Sequence, residues 1–143
     1  MRRLLLIALS FLAFSANAVD DERVIKEMLR NSSLTREEVI AHYKTGCESG
    51  LTYPMRICAA FSFFAADLEL NDTYKDILKS LDKEHKARLV RAQRAWIAYR
   101  DATCIYESSR GGSTDGMYNS SCRELLTKDQ ISRLLQNSPV GEQ

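Results

Sequence analysis

The chain has 143 residues, a length that suits a single domain. It carries 20 basic and 19 acidic residues, and this balance lacks the basic excess typical of nucleic-acid-binding proteins. Charges of both signs alternate along the sequence, so we expect no nucleic-acid partner. With only six Gly and two Pro and little strand-like alternation, the chain is predicted to be all-α.

Residues 1–18 have the features of a secretory signal peptide. Arg2 and Arg3 precede a nearly unbroken apolar run from Leu4 to Phe14, and an Ala-x-Ala site ends at Ala18. The run is too short to cross a bilayer of about 30 Å, and it has no polar face, which disfavours the alternative of a core helix. We predict cleavage after Ala18, a periplasmic or secreted protein, and no membrane span in the mature chain. Without the two arginines, the 20 basic residues become 18 against 19 acidic, a net charge near −1.

All four cysteines lie beyond this segment. Cys47, Cys58, Cys104 and Cys122 are separated by 11, 46 and 18 positions. An even number in an exported chain indicates two disulfides, whereas a zinc site usually has closely spaced cysteine pairs. Three connectivities are possible, and closeness in sequence favours the local pairs.

The N-terminal region, residues 19–46, is predicted to be a helical extension of the main domain. Its first part is a charged amphipathic helix. Thr35 and Glu38 then form a capping-box pattern, which predicts a short helix to about Lys44, ended by Gly46.

The centre of the chain predicts two long helices. Apolar residues at helical spacing indicate one helix from Tyr53 to Leu81, followed by a polar break at residues 82–86 and a second helix. A short turn between long helices predicts an antiparallel hairpin. With Lys83 as the midpoint, Asp67 and Arg100 are expected to meet as a partly buried ion pair that fixes helix register.

A Gly- and Ser-rich segment, residues 106–116, is predicted to be a loop. A further helical stretch begins at Cys122, and a second capping-box pattern at Thr127 predicts a short last helix. Residues 137–143 are expected to be a flexible tail. The expected architecture is therefore a long helical hairpin, with short N- and C-terminal helices packed on it and two disulfides stapling it.

No residue pattern indicates catalysis. Neither His42 nor His85 has a nearby Ser or Cys arranged for nucleophilic chemistry, and no phosphate-binding loop or metal motif is present. We therefore expect a non-enzymatic protein without catalytic residues, metal or cofactor. Trp96 is interpreted as a core residue of the hairpin, with a partly exposed anchor for a partner as the alternative.

Two segments carry a resemblance to a known family. The run ADLELNDTY at residues 66–74 and the run LVRAQRAWIAYRDATC at residues 89–104 are similar to those of the LprI-type lysozyme-inhibitor family. The order of the four cysteines agrees, and residues 47–136 are interpreted as the LprI-like domain. The motif positions carried over are predicted to be structural: Asp67, Asn71, Tyr74, Gln93, Trp96 and Arg100.

The resemblance implies a small helical protein of the bacterial envelope that inhibits lysozyme-type muramidases. A loop closed by a disulfide could present a binding surface, although a plain solvated connector is the alternative. Glu107 and Asp115 could offer carboxylates to a basic lysozyme, with Arg110 opposing them. A protein partner is expected, either lysozyme or another envelope protein, and a non-enzymatic interaction protein is the alternative function. The candidate binding loop comprises Glu107, Ser109, Arg110, Gly111, Gly112, Ser113 and Asp115.

Overall fold

The structure, a computed structural model, describes residues 19–137, and helices are the only regular secondary structure over that range. The helices are α1 (Asp21–Asn31), α2 (Arg36–His42), a 3-10 helix (Gly46–Glu48), α3 (Thr52–Ser80), α4 (Lys83–Ser108) and α5 (Asp115–Gln136). The all-α prediction is confirmed. The predicted signal peptide and residues 138–143 of the predicted tail lie outside the described residues.

None of the helices between residues 19 and 137 combines the length and apolar character needed to cross a membrane.

The first two helices begin at side-chain caps. The carboxylate of Asp20 accepts a hydrogen bond from the amide of Glu22. At α2, the Glu38 amide donates to Thr35 Oγ1 at 3.3 Å, and the Thr35 amide donates to Glu38 Oε2 at 2.7 Å. The predicted capping box is therefore confirmed, although α2 ends at His42 rather than near Lys44.

Helices α1 and α2 pack their apolar faces on the first half of α3. Met28 and Val39 are completely buried, and they join Ile25 and Ile57 in one cluster. Because α1 and α2 are charged on their outer faces, this packing accounts for their stability better than helix propensity does. Partly buried neighbours surround the cluster: Leu29, Leu34, Tyr43, Ala60, Phe61 and Phe64.

The segment between α2 and α3 is fixed by a glycine and a disulfide. A Cβ at Gly46 would lie 2.3 Å from the carbonyl oxygen of Pro54, so only glycine allows this approach of two backbones. The neighbouring Cys47 is bonded to Cys58 with a Cα–Cα distance of 5.3 Å. The other bridge joins Cys104 to Cys122, so both predicted pairings are confirmed and no cysteine remains to bind zinc.

The two long helices are connected as predicted. α3 has 29 residues, and only Leu81 and Asp82 separate it from α4. The Asp82 carboxylate accepts hydrogen bonds from the amides of Glu84 at 2.8 Å and His85 at 3.0 Å. The polar break in the sequence is thus a helix N-cap, which reverses the chain in two residues.

The last helix differs from the prediction. α5 is one continuous helix of 22 residues, and Thr127 lies inside it rather than at its start. It packs closely along α3 and also along α4, whereas the backbones of α3 and α4 lie farther apart and are joined through side chains such as Arg100 and Asp67. The prediction of a short C-terminal helix was wrong because the Thr127 hydroxyl is completely buried against α4 instead of capping a helix end.

Candidate binding loop and its supporting polar cluster

The candidate loop is shorter than predicted. Helix α4 continues to Ser108 and α5 begins at Asp115, so the connection has only six residues, 109–114. Below it, the disulfide between Cys104 and Cys122 holds the two helices at a Cα–Cα distance of 5.5 Å. The exposed segment therefore projects from a covalently closed base.

Hydrogen bonds within the loop define its conformation. The carboxylate of Asp115 accepts from the amide of Gly111 at 3.1 Å and from that of Gly112 at 3.3 Å. Gly111 has φ +81°, a backbone conformation that glycine adopts without steric cost. The Ser109 hydroxyl donates to the carbonyl oxygen of Ile105 at 2.6 Å. The loop is thus ordered by its own contacts before any partner binds.

The charges of the loop are arranged differently from the prediction. Asp115 is engaged by backbone amides, and the carboxylate of Glu107 lies 3.5 Å from Sγ of Cys122 at the base. Arg110, in contrast, is exposed, and its guanidinium lies over the ring of Tyr118 at 5.1 Å. Among the described residues it forms no ion pair. Arg110 and Glu107 are therefore two charges at this end of the molecule that form no ion pair within the described residues.

Beneath the loop, a buried arginine joins three helices. The side chain of Arg100 is only 4% exposed, and its Nη1 donates to Asp67 Oδ1 at 2.7 Å and to Thr127 Oγ1 at 3.1 Å. Its Nε donates to Asp101 Oδ1 at 2.8 Å, an oxygen that also accepts from Arg123 at 3.1 Å. The predicted contact between Asp67 and Arg100 is confirmed.

Aromatic rings complete this polar cluster. The Arg100 guanidinium lies 5.2 Å from the ring centres of both Phe63 and Trp96. Arg123 lies over the same Phe63 ring at 4.0 Å. Two cations next to aromatic faces are stabilised by the ring quadrupoles as well as by their carboxylates. Trp96 is partly buried in this setting, in the hairpin region where the sequence placed it.

The remaining motif residues lie along the same helices. Gln93 is buried and its side-chain oxygen accepts from Gln130 at 3.1 Å, which links α4 to α5. Asn71 is exposed and donates to Asp67 at 3.3 Å, and Tyr74 is partly buried on α3. Their structural roles stay predictions.

Sequence reasoning missed the contribution of α5 to this cluster. Thr127, Arg123 and Gln130 all reach α4 from α5. Their spacing of three and four positions is helical and could have placed them on one face, but the capping-box pattern at Thr127 suggested a helix start there.

A cleft of about 220 Å³ lies near the loop, between the α1–α2 connection, the start of α3 and the start of α5. Arg56 lines it and lies close to Gly116. A Cβ added at Gly116 would be 3.1 Å from Nε of Arg56. Apolar Leu34 and Ile57 form part of its wall. Among residues 19–137, no pair of carboxylates of the kind that a glycosidase uses lines this cleft.

Comparison with known proteins decides the family. The family described as "Lysozyme inhibitor LprI" matches residues 47–134, more than half of the chain. The chain belongs to the LprI family. The match includes both disulfides, the loop and the Arg100 cluster, whereas α1 and α2 precede it.

The LprI assignment agrees with one curated relative. The chain is 35% identical over 95 residues to an uncharacterized protein of Rhizobium meliloti, covering 56% of this chain and 68% of the relative. No solved structure significantly matches the chain. The LprI family is named for inhibition rather than catalysis, and two disulfides are typical of proteins in oxidising compartments outside the cytoplasm.

Proposed function

We propose that this LprI-family protein is a non-enzymatic inhibitor of lysozyme-type muramidases in the periplasm or outside the cell. The observation that carries the proposal is the short, internally ordered loop at residues 109–114, raised on the Cys104–Cys122 disulfide of a chain in an inhibitor family. A binding loop that is ordered before association loses little conformational entropy when it enters an enzyme cleft.

In the proposed complex with lysozyme, shape complementarity contributes more to binding than net charge does. Lysozymes are commonly basic, and a strongly acidic inhibitor would be attracted over long range. The predicted mature chain has 18 basic and 19 acidic residues, so long-range attraction is weak. Insertion of the loop into the substrate cleft would supply specificity at short range instead.

The primary test is the activity of several lysozyme classes against labelled peptidoglycan, titrated with the oxidised chain of residues 19–143. We expect stoichiometric loss of activity that is abolished when the inhibitor is reduced beforehand, because reduction opens the base of the loop. Full activity of every lysozyme at saturating protein would contradict the proposal.

A substitution at the loop tip tests whether the loop at residues 109–114 is the surface that contacts lysozyme. Ser113 is exposed and its hydroxyl makes no hydrogen bond within the described residues, so Ser113→Tyr adds bulk without disturbing the fold. We expect the inhibition constant to rise by roughly tenfold or more because a bulky tip no longer fits the cleft.

The matched control is Ser132→Tyr. Ser132 is also exposed and lies toward the other end of α5, where its hydroxyl donates to the carbonyl oxygen of Lys128 at 3.2 Å. It should leave the inhibition constant unchanged, and equal effects of the two variants would argue against the loop as the contact surface.

A specific observation favours the alternative of an envelope interaction protein. The outer side of α4 is apolar and exposed, with Tyr99 59% and Tyr106 84% accessible. Exposed apolar faces of this kind often bind other proteins. Alanine and isoleucine side chains extend the face: Ala95, Ala98, Ala102 and Ile105.

Photo-crosslinking from position 99 in intact envelopes separates the two functions. If the α4 face binds an envelope protein, a discrete crosslinked product should form in the absence of any lysozyme. No product, together with lysozyme inhibition by the purified chain, would reject the alternative.

A further inference from the structure

We propose that Arg110 is the residue that the loop presents to the catalytic carboxylates of the muramidase. This inference rests on the proposed function and specifies the chemistry of its contact. It reverses the sequence-based expectation that Glu107 and Asp115 provide the charge for recognition.

The hydrogen bonds of the loop engage Asp115, whereas Arg110 and Glu107 form no ion pair within the described residues; of these two, only Arg110 carries the charge that attracts a carboxylate. Asp115 uses both carboxylate oxygens on the amides of Gly111 and Gly112, and binding a partner through it would break the loop conformation. Arg110 has no carboxylate partner in the part of the chain that the structure describes. A cation can therefore bind an external anion without loss of an internal ion pair.

The position of the guanidinium is suited to an external carboxylate. Its central carbon lies over the Tyr118 ring, 5.1 Å from the ring centre, and the Arg110 amide donates to the Ser108 carbonyl at 2.8 Å. Stacking uses the face of the guanidinium, whereas bidentate binding of a carboxylate uses its edge. Both contacts can exist together, so Tyr118 orients Arg110 and leaves its N–H groups available.

The proposed target follows from the chemistry of glycoside hydrolysis. Most glycosidases carry two carboxyl groups on opposite sides of the scissile bond, roughly 5–9.5 Å apart. A guanidinium between them would pair with an ionised carboxylate and occupy the position of the sugar. Repulsion from the basic surface of a lysozyme is screened over a Debye length of about 8–10 Å, whereas the contact with the carboxylates is desolvated.

The test compares inhibition constants of the oxidised wild type, Arg110→Ala and Arg110→Lys against one lysozyme with a soluble chitooligosaccharide substrate. We expect competitive inhibition by the wild type, a loss of roughly 30-fold or more in Arg110→Ala, and an intermediate value in Arg110→Lys. Arg133→Ala is the control because Arg133 is also exposed and without an ion pair in the described chain, near the far end of α5. It should stay within about twofold of the wild type.

A double-mutant cycle identifies the partner group. Replacing the catalytic aspartate of the lysozyme, the carboxylate that stays ionised, by asparagine should weaken binding of the wild-type inhibitor in calorimetry but leave binding of Arg110→Ala unchanged. Circular dichroism and the Tm of each variant check that the fold is retained.

The measurements distinguish a failure of the role proposed for Arg110 from a failure of the proposed function. If the wild type inhibits and Arg110→Ala inhibits equally well, the role of Arg110 is wrong and the proposed function stands. If the wild type inhibits no lysozyme, the proposed function fails and the role of Arg110 fails with it.

Discussion

At the scale of single residues, the Thr127 hydroxyl connects α5 to the buried charge of α4. Thr127 is fully buried, and its Oγ1 accepts from Arg100 Nη1 at 3.1 Å. Arg100 also binds Asp67 and Asp101, so each of its partners compensates part of the cost of burying its charge. Loss of one acceptor would leave a buried guanidinium N–H group with fewer hydrogen bonds.

Thr127→Val tests this contact. Valine has nearly the same shape but cannot accept a hydrogen bond, so we expect the free energy of unfolding to fall by about 1–3 kcal/mol in urea denaturation. Thr127→Ser keeps the hydroxyl and should cost less. A valine variant more stable than the serine variant would show that packing, rather than the hydrogen bond to Arg100, governs this position.

At the scale of helices, an ion pair fastens α1 to the middle of α3. Arg23 Nη2 donates to Asp72 Oδ1 at 2.8 Å, and this hydrogen bond lowers the pKa of the Asp72 carboxyl below its ordinary value. Hydrogen bonds also lower the pKa of Glu38 at the α2 cap and of Asp82 at the α4 cap. A carboxyl with a lowered folded-state pKa stabilises the protein above its unfolded pKa, and this stabilisation disappears as the pH falls through the folded pKa.

Asp72→Asn is expected to lower the free energy of unfolding at pH 7 by no more than about 1 kcal/mol, because the pair is 43% exposed on both sides. The difference from the wild type should persist down to about pH 4 and vanish at lower pH, since Asp72 is then protonated in both states. Denaturation curves of both proteins from pH 2 to 7 provide the measurement. A difference that stays constant across this range would rule out the charge of Asp72 as its cause.

At the scale of the whole molecule, the apolar core crosses the boundary of the family match. Met28 and Val39 of α1 and α2 pack with Ile57 of α3, although the match begins at residue 47. The division into an extension at 19–46 and a domain at 47–136 stays a prediction. The packing nevertheless indicates that α1 and α2 contribute to the stability of the family domain.

Met28→Ala should therefore destabilise the whole protein, because it leaves a cavity in a fully buried site. We expect a loss of about 2–5 kcal/mol in one cooperative unfolding transition. Ile40→Ala, at a position that is 50% exposed, is the control and should change little. Separate transitions, with only the first shifted by Met28→Ala, would instead show that α1 and α2 unfold independently.

Local patterns in the sequence were enough to predict helix positions, the disulfide pairs and one buried ion pair of this protein. The helical spacing of apolar residues predicted a helix over 53–81, and the capping-box pattern of Thr35 and Glu38 predicted the start of α2. Closeness in sequence favoured both disulfide pairs. Helical geometry about Lys83 also brought Asp67 to Arg100. These features are predictable because each depends on neighbours along the chain or on one short turn.

Only the tertiary structure decided the role of α5 and the charge that the loop presents. Thr127 fits a capping pattern, but its hydroxyl meets Arg100, which is 27 positions away in sequence and adjacent in the fold. Glu107, Arg110 and Asp115 look alike as exposed loop charges in the sequence, yet the amides of Gly111 and Gly112 engage only Asp115. Hydrogen-bond partners depend on where the backbone places each group, so composition could not show that Asp115 is engaged while Arg110 and Glu107 form no ion pair within the described residues.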